Sequence, residues 1–349
     1  MKNRLVWVLG FLLIVLIVVQ LIRGYWQDKE KNLRINLRES AQQQFPVAFE
    51  ITKASYGIQP YSGSLFRNED AGNGKNVILV HGLDDPGIIW RNLAPALAES
   101  GYRVWIMSYP NDQPIRDSAV FFGKQMELFA TEHGVNPVAV ICHSMGGLVA
   151  REMLTNPDIG YETGSNAGSV PALTHLIMVG TPNHGSIFSR FRLFSEIRDQ
   201  LVSAGNDEYH WLRSVFDGMG EAGIDLYPGS DFLQKLNDRP PPDVDNILII
   251  AGLMSPLDQQ DIEKSIEEII RSFPESVRAA FIQMQPLMEQ MIYDIGDGLV
   301  SLDSARMAGI PLRQVQGSHV SIIRNLIKNS DRIPPAIPVI LQELDGSRS

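Results

Sequence analysis

The 349-residue chain contains one cysteine, Cys142. No internal disulfide can form, and the cysteine pattern of a zinc site is missing. Positive charge is also scarce: 30 Lys and Arg against 40 Asp and Glu leave a net charge of −10. That balance argues against nucleic-acid binding, which normally leaves a basic footprint. Internal repeats and low-complexity tracts are lacking too, which leaves one large globular domain or two small ones. What the chain has is apolar material, 44% of its residues, enough for a sizeable core.

Residues 141–147 read Ile-Cys-His-Ser-Met-Gly-Gly, between the apolar run Val138–Ile141 and a helical run, Gly147–Leu154, that stops before Pro157. A serine on a tight strand-to-helix turn among small residues is a nucleophile elbow. The turn lifts the hydroxyl off the sheet, and the helix start faces the charge that forms on reaction. The common pattern is Gly-x-Ser-x-Gly, and here Cys142 stands at the first glycine. Cysteine is small enough for that crowded position and should lie buried beneath Ser144.

Four more motifs follow the order that such chemistry requires. Val77–Val80 runs into His81-Gly82-Leu83, whose glycine allows a sharp turn that aims the Leu83 amide at a developing oxyanion. The Met145 amide, next after the serine, would be the second donor. Leu176–Val179 leads into Gly180-Thr181-Pro182-Asn183-His184-Gly185-Ser186; Gly296-Asp297-Gly298-Leu299-Val300-Ser301 and Gly317-Ser318-His319 come last. A serine hydroxyl needs a base, histidine has a pKa suited to the task, and a carboxylate fixes the imidazole tautomer. His319 sits in a loop between the strand-like run Leu312–Val315 and an apolar stretch, Val320–Ile327, that reads as helix.

Each role has rivals. Asp294 is the main rival acid, and Asp303, expected on the following helix, is a weaker one; Asp297 has glycines on both sides, which suit a loop tip. His143 adjoins the serine but points away on an elbow. His81 and His184 belong to site loops, whereas His133, His175 and His210 have no motif around them.

The order Ser144, Asp297, His319 and the five motifs resemble the α/β-hydrolase superfamily, most closely its lipase and esterase branch, over about residues 75 to 330. The resemblance implies an α/β-hydrolase fold: a doubly wound, mainly parallel sheet with an inserted helical cap or lid. Strands are expected near 77–80, 103–108, 138–141, 176–179, 247–251 and 312–316, and helices near 91–99, 116–132 and 147–154; Phe45–Phe66 would supply opening strands. No metal or organic cofactor is implied. Some lipases of this kind bind a structural calcium, but no acidic cluster in the sequence can be assigned to one.

The layout predicts a membrane anchor at 1–26, a juxtamembrane stalk at 27–45 and the hydrolase domain at 46–345. Leu5–Ile22 is an uncharged 18-residue run, just long enough for one transmembrane helix, flanked by Trp7 and by Tyr25 and Trp26. No small-x-small cleavage site follows it, so an uncleaved single-pass anchor is favoured over a signal peptide. Charge count alone would put the domain in the cytoplasm. A short positive tail before a first apolar segment instead reads as a signal-anchor, which in a bacterium makes the domain periplasmic.

Two excursions, at about 186–245 and 255–293, are too long for plain connections and read as cap insertions. In the first, Phe188, Phe191 and Phe194 fall on one helical face. They could pack inside a cap or form a lid that meets acyl chains. The sequence therefore predicts a serine hydrolase of carboxylic esters, lipophilic ones above all, with a lipid or acyl-ester substrate. An acyltransferase or thioesterase on the same triad is the alternative enzyme, and a non-catalytic membrane-anchored binding protein is the alternative of another class.

Overall fold

In a computed structural model, the described residues are 56–61, 75–83, 87–186, 222–254, 296–327 and 330–346, with isolated positions between 267 and 282. The proposed anchor, the stalk, Phe188, Phe191, Phe194, His210 and Asp294 lie outside them.

The strands are β1 (Gly57–Pro60), β2 (Asn76–Val80), β3 (Arg103–Ser108), β4 (Val138–His143), β5 (Leu173–Val179), β6 (Asn246–Leu253) and β7 (Leu312–Gln316). They form one sheet in the order β1-β3-β2-β4-β5-β6-β7. Only β1 runs antiparallel, against β3. The chain passes from β2 outward to β3 and then back across β2 to β4. That reversal opens a crevice at the carboxyl ends of β2 and β4, the usual ligand position in such sheets.

The helices are α1 (Leu93–Glu99), α2 (Ile115–His133), α3 (Met145–Thr155), α4 (Tyr161–Asn166), α5 (Ala222–Asp225), α6 (Asp231–Asn237), α7 (Leu302–Ala305) and α8 (Ala336–Leu344), with a 3-10 turn at Ile88–Arg91. β2 and β4 are buried along their whole length, as parallel strands covered on both faces must be. Alternate side chains divide between two cores. Ile78, Val80, Val140 and Cys142 face α2 and α3 through Phe122, Met126, Leu148 and Val149. Val77, Leu79, Ala139 and Ile141 face α1 and α8 through Leu93, Leu97, Ile337 and Ile340.

The expected central strands and helices all form, with ends shifted by a few residues. One expectation is overturned: Val320–Ile327 makes turns and an open loop, not a helix. Asn325 donates its side-chain amide to the carbonyls of Ser330 and Arg332, which folds the chain back before it can continue as a helix. The end of the first excursion packs on the sheet domain. The Ser230 hydroxyl accepts the Leu233 N–H to cap α6, and Leu233 and Leu236 are buried in the core beside α3. Among the described residues no helix is long and apolar enough to cross a membrane.

Candidate active site

Register brings the site loops to one edge. Val80 pairs with Cys142 and His143 with Val179, so the segments after β2, β4 and β5 leave the sheet side by side. Ser144 follows β4 directly and caps α3. Its φ of 54° makes it the only non-glycine residue with positive φ among the described ones. Such a backbone costs about 1–3 kcal/mol and persists only where the surroundings enforce it. Here the Ser144 N–H donates to Val179 O at 2.9 Å, and Ser144 O accepts from Gly147 N–H at 3.1 Å.

Close approach explains the small residues around it. A Cβ on Gly146 would stand 2.4 Å from Val80 O and 2.5 Å from His81 O. Both atoms are backbone and cannot step aside. Gly146→Ala should therefore cost about 3 kcal/mol or more, and a melting curve would show it as a drop of several degrees or a failure to fold. Cys142 is fully buried in the α2–α3 core, and burial pushes its thiol pKa up, so it is an inert packing residue.

Asp297 and His319 meet at the end of the sheet next to Gly180. The His319 Nδ1–H donates to Asp297 Oδ2 at 2.7 Å, with both side chains buried. The other carboxylate oxygen, Oδ1, accepts the N–H groups of Leu299 at 2.9 Å and Val300 at 2.8 Å. The aspartate is thus fixed from both sides and holds the imidazole with Nε2 available for proton transfer. The backbones are tied as well, because His319 N–H donates to Asp297 O at 2.8 Å. A Cβ on Gly180 would come within 3.2 Å of both Asp297 Oδ2 and His319 Nδ1, so the residue next to Val179, Ser144's backbone partner, packs directly on the pair. Of the rival acids, Asp303 lies on α7, is exposed and pairs with Arg306 at 3.7 Å.

The turn after β2 lies on the serine. A Cβ on Gly82 would sit 2.7 Å from Ser144 Cβ. Tyr109 donates its hydroxyl to His81 O at 2.7 Å, and Asn111 donates Nδ2 to Gly82 O at 3.2 Å, so both carbonyls of the turn are held. The amides of Leu83 and Met145 donate to no acceptor among the described residues. Two uncommitted N–H groups flanking a strained serine are what an oxyanion site requires.

Sequence reading missed several supports. His143, which the sequence shows only as the neighbour of the serine, donates Nε2–H to His319 O at 3.0 Å, with the two rings 4.7 Å apart. Arg151 on α3 donates to Asn183 Oδ1 at 2.9 Å and to Asn237 Oδ1 at 3.0 Å, tying the serine's helix to the loop after β5 and to α6. Burial, and then the nearby Arg239, lower the Arg151 pKa to about 10, while Glu152 opposes them. The one visible signal is the adjacent charged pair Arg151-Glu152 inside a mostly apolar helix. His133 packs against Trp105 and Phe129, and His175 bonds the Thr174 hydroxyl, so neither belongs to the site.

A parallel sheet wound on both faces, with a serine elbow after one strand and a carboxylate–histidine pair on later loops, defines a hydrolase of the α/β class. The sequence model of the Alpha/beta hydrolase family matches residues 77–286, more than half of the chain, and the chain belongs to that family. The match takes in Ser144 and ends before Asp297 and His319. No curated protein sequence matches. Among solved structures, the mature Bacillus licheniformis lipase BlEst2 superposes with a TM-score of 0.50 at 16% identity, over 82% of this chain and 97% of that one. The Legionella pneumophila phospholipase PlaB gives 0.47 at 18% identity, over 78% and 60% of the two chains. The Bacillus subtilis carboxylesterase CesB gives 0.42 at 13%, over 88% and 99%.

Proposed function

We propose that this hydrolase cleaves carboxylic esters, lipophilic ones above all, through an acyl-enzyme on Ser144. The observation that carries the reading is the buried 2.7 Å bond between His319 Nδ1 and Asp297 Oδ2, set beside a serine held at positive φ. His319 Nε2 takes the Ser144 hydroxyl proton as Oγ attacks the ester carbonyl. The oxyanion accepts the Leu83 and Met145 N–H groups while Asp297 stabilises the imidazolium. Collapse expels the alcohol oxygen, which takes the proton from His319 and leaves the acyl group on Ser144. Water, deprotonated by His319, then attacks the acyl-enzyme, and the acid and free serine are released.

A panel of esters of rising acyl length, assayed with and without a lipid interface, tests the substrate class. Turnover should rise with acyl length and with the interface; activity confined to short soluble esters would contradict the lipophilic reading. The first excursion offers a sharper test. Phe188, Phe191 and Phe194 recur on one helical face of the sequence and are proposed to contact acyl chains. Each would contribute about 1.5–3 kcal/mol if buried against lipid. Replacing all three with serine should therefore depress long-chain turnover strongly and spare a butyrate ester. Joint loss of both activities and of the melting transition would make them cap packing.

The uncharged run Leu5–Ile22 supports a single-pass anchor that keeps the domain beside its lipid substrate. Mass spectrometry of the mature protein should find an N-terminus ahead of Leu5; one beyond Ile22 would identify a cleaved signal peptide.

A further inference from the structure

The loop that follows His319 carries aliphatic side chains that the described residues leave exposed. Leu326 is 68% exposed, Ile327 74% and Ile333 70%. These are the three most exposed large hydrophobic side chains among the described residues, and they share one loop closed on itself by Asn325. The Asn325 N–H donates to Asn92 Oδ1 at 2.9 Å, which joins the loop to the start of α1, just behind exposed Ile88 and Arg91. The Ala336 N–H donates to Ile322 O, so α8 also begins here. Helices that return along a parallel sheet start at its carboxyl edge, where the site lies. The aliphatic loop is therefore part of the site's rim, on the α1–α8 side.

The local charge differs from that of the molecule. The described part of this loop holds Arg324 and Arg332 against Asp331, and Arg91 stands across the Asn92 bridge, in a chain of net charge −10. We propose that this rim is a bilayer-seating surface: Leu326, Ile327 and Ile333 enter the headgroup boundary while the surrounding cations meet anionic lipid. Exposed aliphatic residues ringed by Lys and Arg are the chemistry of interfacial attachment. A second copy fits less well, because a two-fold contact would bring two positively charged rims together. This rim would turn the site toward the membrane. The inference deepens the lipid-ester reading and rests on it for the substrate's location.

The lone cysteine makes the test clean, because Cys142 is buried and will not take a label. Ile327→Cys, Ile333→Cys and, on the far face of α2, Glu127→Cys are each made in the full chain and labelled with an environment-sensitive fluorophore. Each is reconstituted into phosphatidylcholine vesicles with or without phosphatidylglycerol, with nitroxide-bearing lipid as quencher. Labels at 327 and 333 should be quenched about twofold or more relative to the label at 127, and more strongly with phosphatidylglycerol. Quenching equal to that at 127 overturns the proposal. So does blue-shifted emission that lipid quencher does not touch, which would mean that another segment of the chain or a second copy covers the loop. Ester turnover is not read, so loss of the catalytic reading would leave this result standing on its own.

Discussion

Asp297→Asn should lower kcat by about 10⁴-fold while leaving the melting temperature nearly unchanged. The asparagine oxygen can still accept the Leu299 and Val300 N–H groups that now bind Oδ1. Its amide nitrogen must then face His319 Nδ1, and it is a donor where a carboxylate was an acceptor. Nδ1 is forced to accept, the imidazole proton moves to Nε2, and the base can no longer take a proton from Ser144. Asp303→Asn should be close to wild type, because Asp303 is exposed and its ion pair is with Arg306, away from the histidine. Asp294→Asn should also retain activity; if it were inactive and Asp297→Asn near normal, the acid assignment would have to be exchanged.

Ser144→Ala should have the larger effect, reducing ester turnover to a residue some 10⁶-fold below wild type. It removes the only atom that forms the acyl bond and disturbs little else. The backbone bonds to Val179 and Gly147 remain, and alanine bears the same φ penalty as serine. Melting should stay within a few degrees. Normal turnover by a normally folded variant would remove Ser144 from the mechanism.

The parts of the site legible in the sequence are those defined by local backbone demands. Ser144 is announced by an apolar strand before it and small residues after it, and Asp297 by flanking glycines that both take positive φ. The central strands were legible because full burial makes them continuous apolar runs. What the sequence hid is held by partners far away in the chain. The His143–His319 bond spans 176 positions, and the Arg151–Asn237 bond spans 86. Neither partner has a local pattern that reveals the other. Val320–Ile327 misleads for a related reason: its apolar residues suggest a helix, but Asn325 binds backbone carbonyls beyond the run and redirects the chain. Ile322 and Ile323 do turn into the α1–α8 core, while Leu326 and Ile327 stay outside it.

The central claim is that Ser144 is an activated nucleophile, and a fluorophosphonate reports that directly because it phosphonylates fastest a serine whose hydroxyl a working base activates. Full-length protein would be treated with the reagent, digested and mapped by mass spectrometry. One adduct is expected, on the peptide carrying Ser144, at a rate that falls sharply in Asp297→Asn. An adduct on another residue, or none on protein that melts cooperatively, would contradict it.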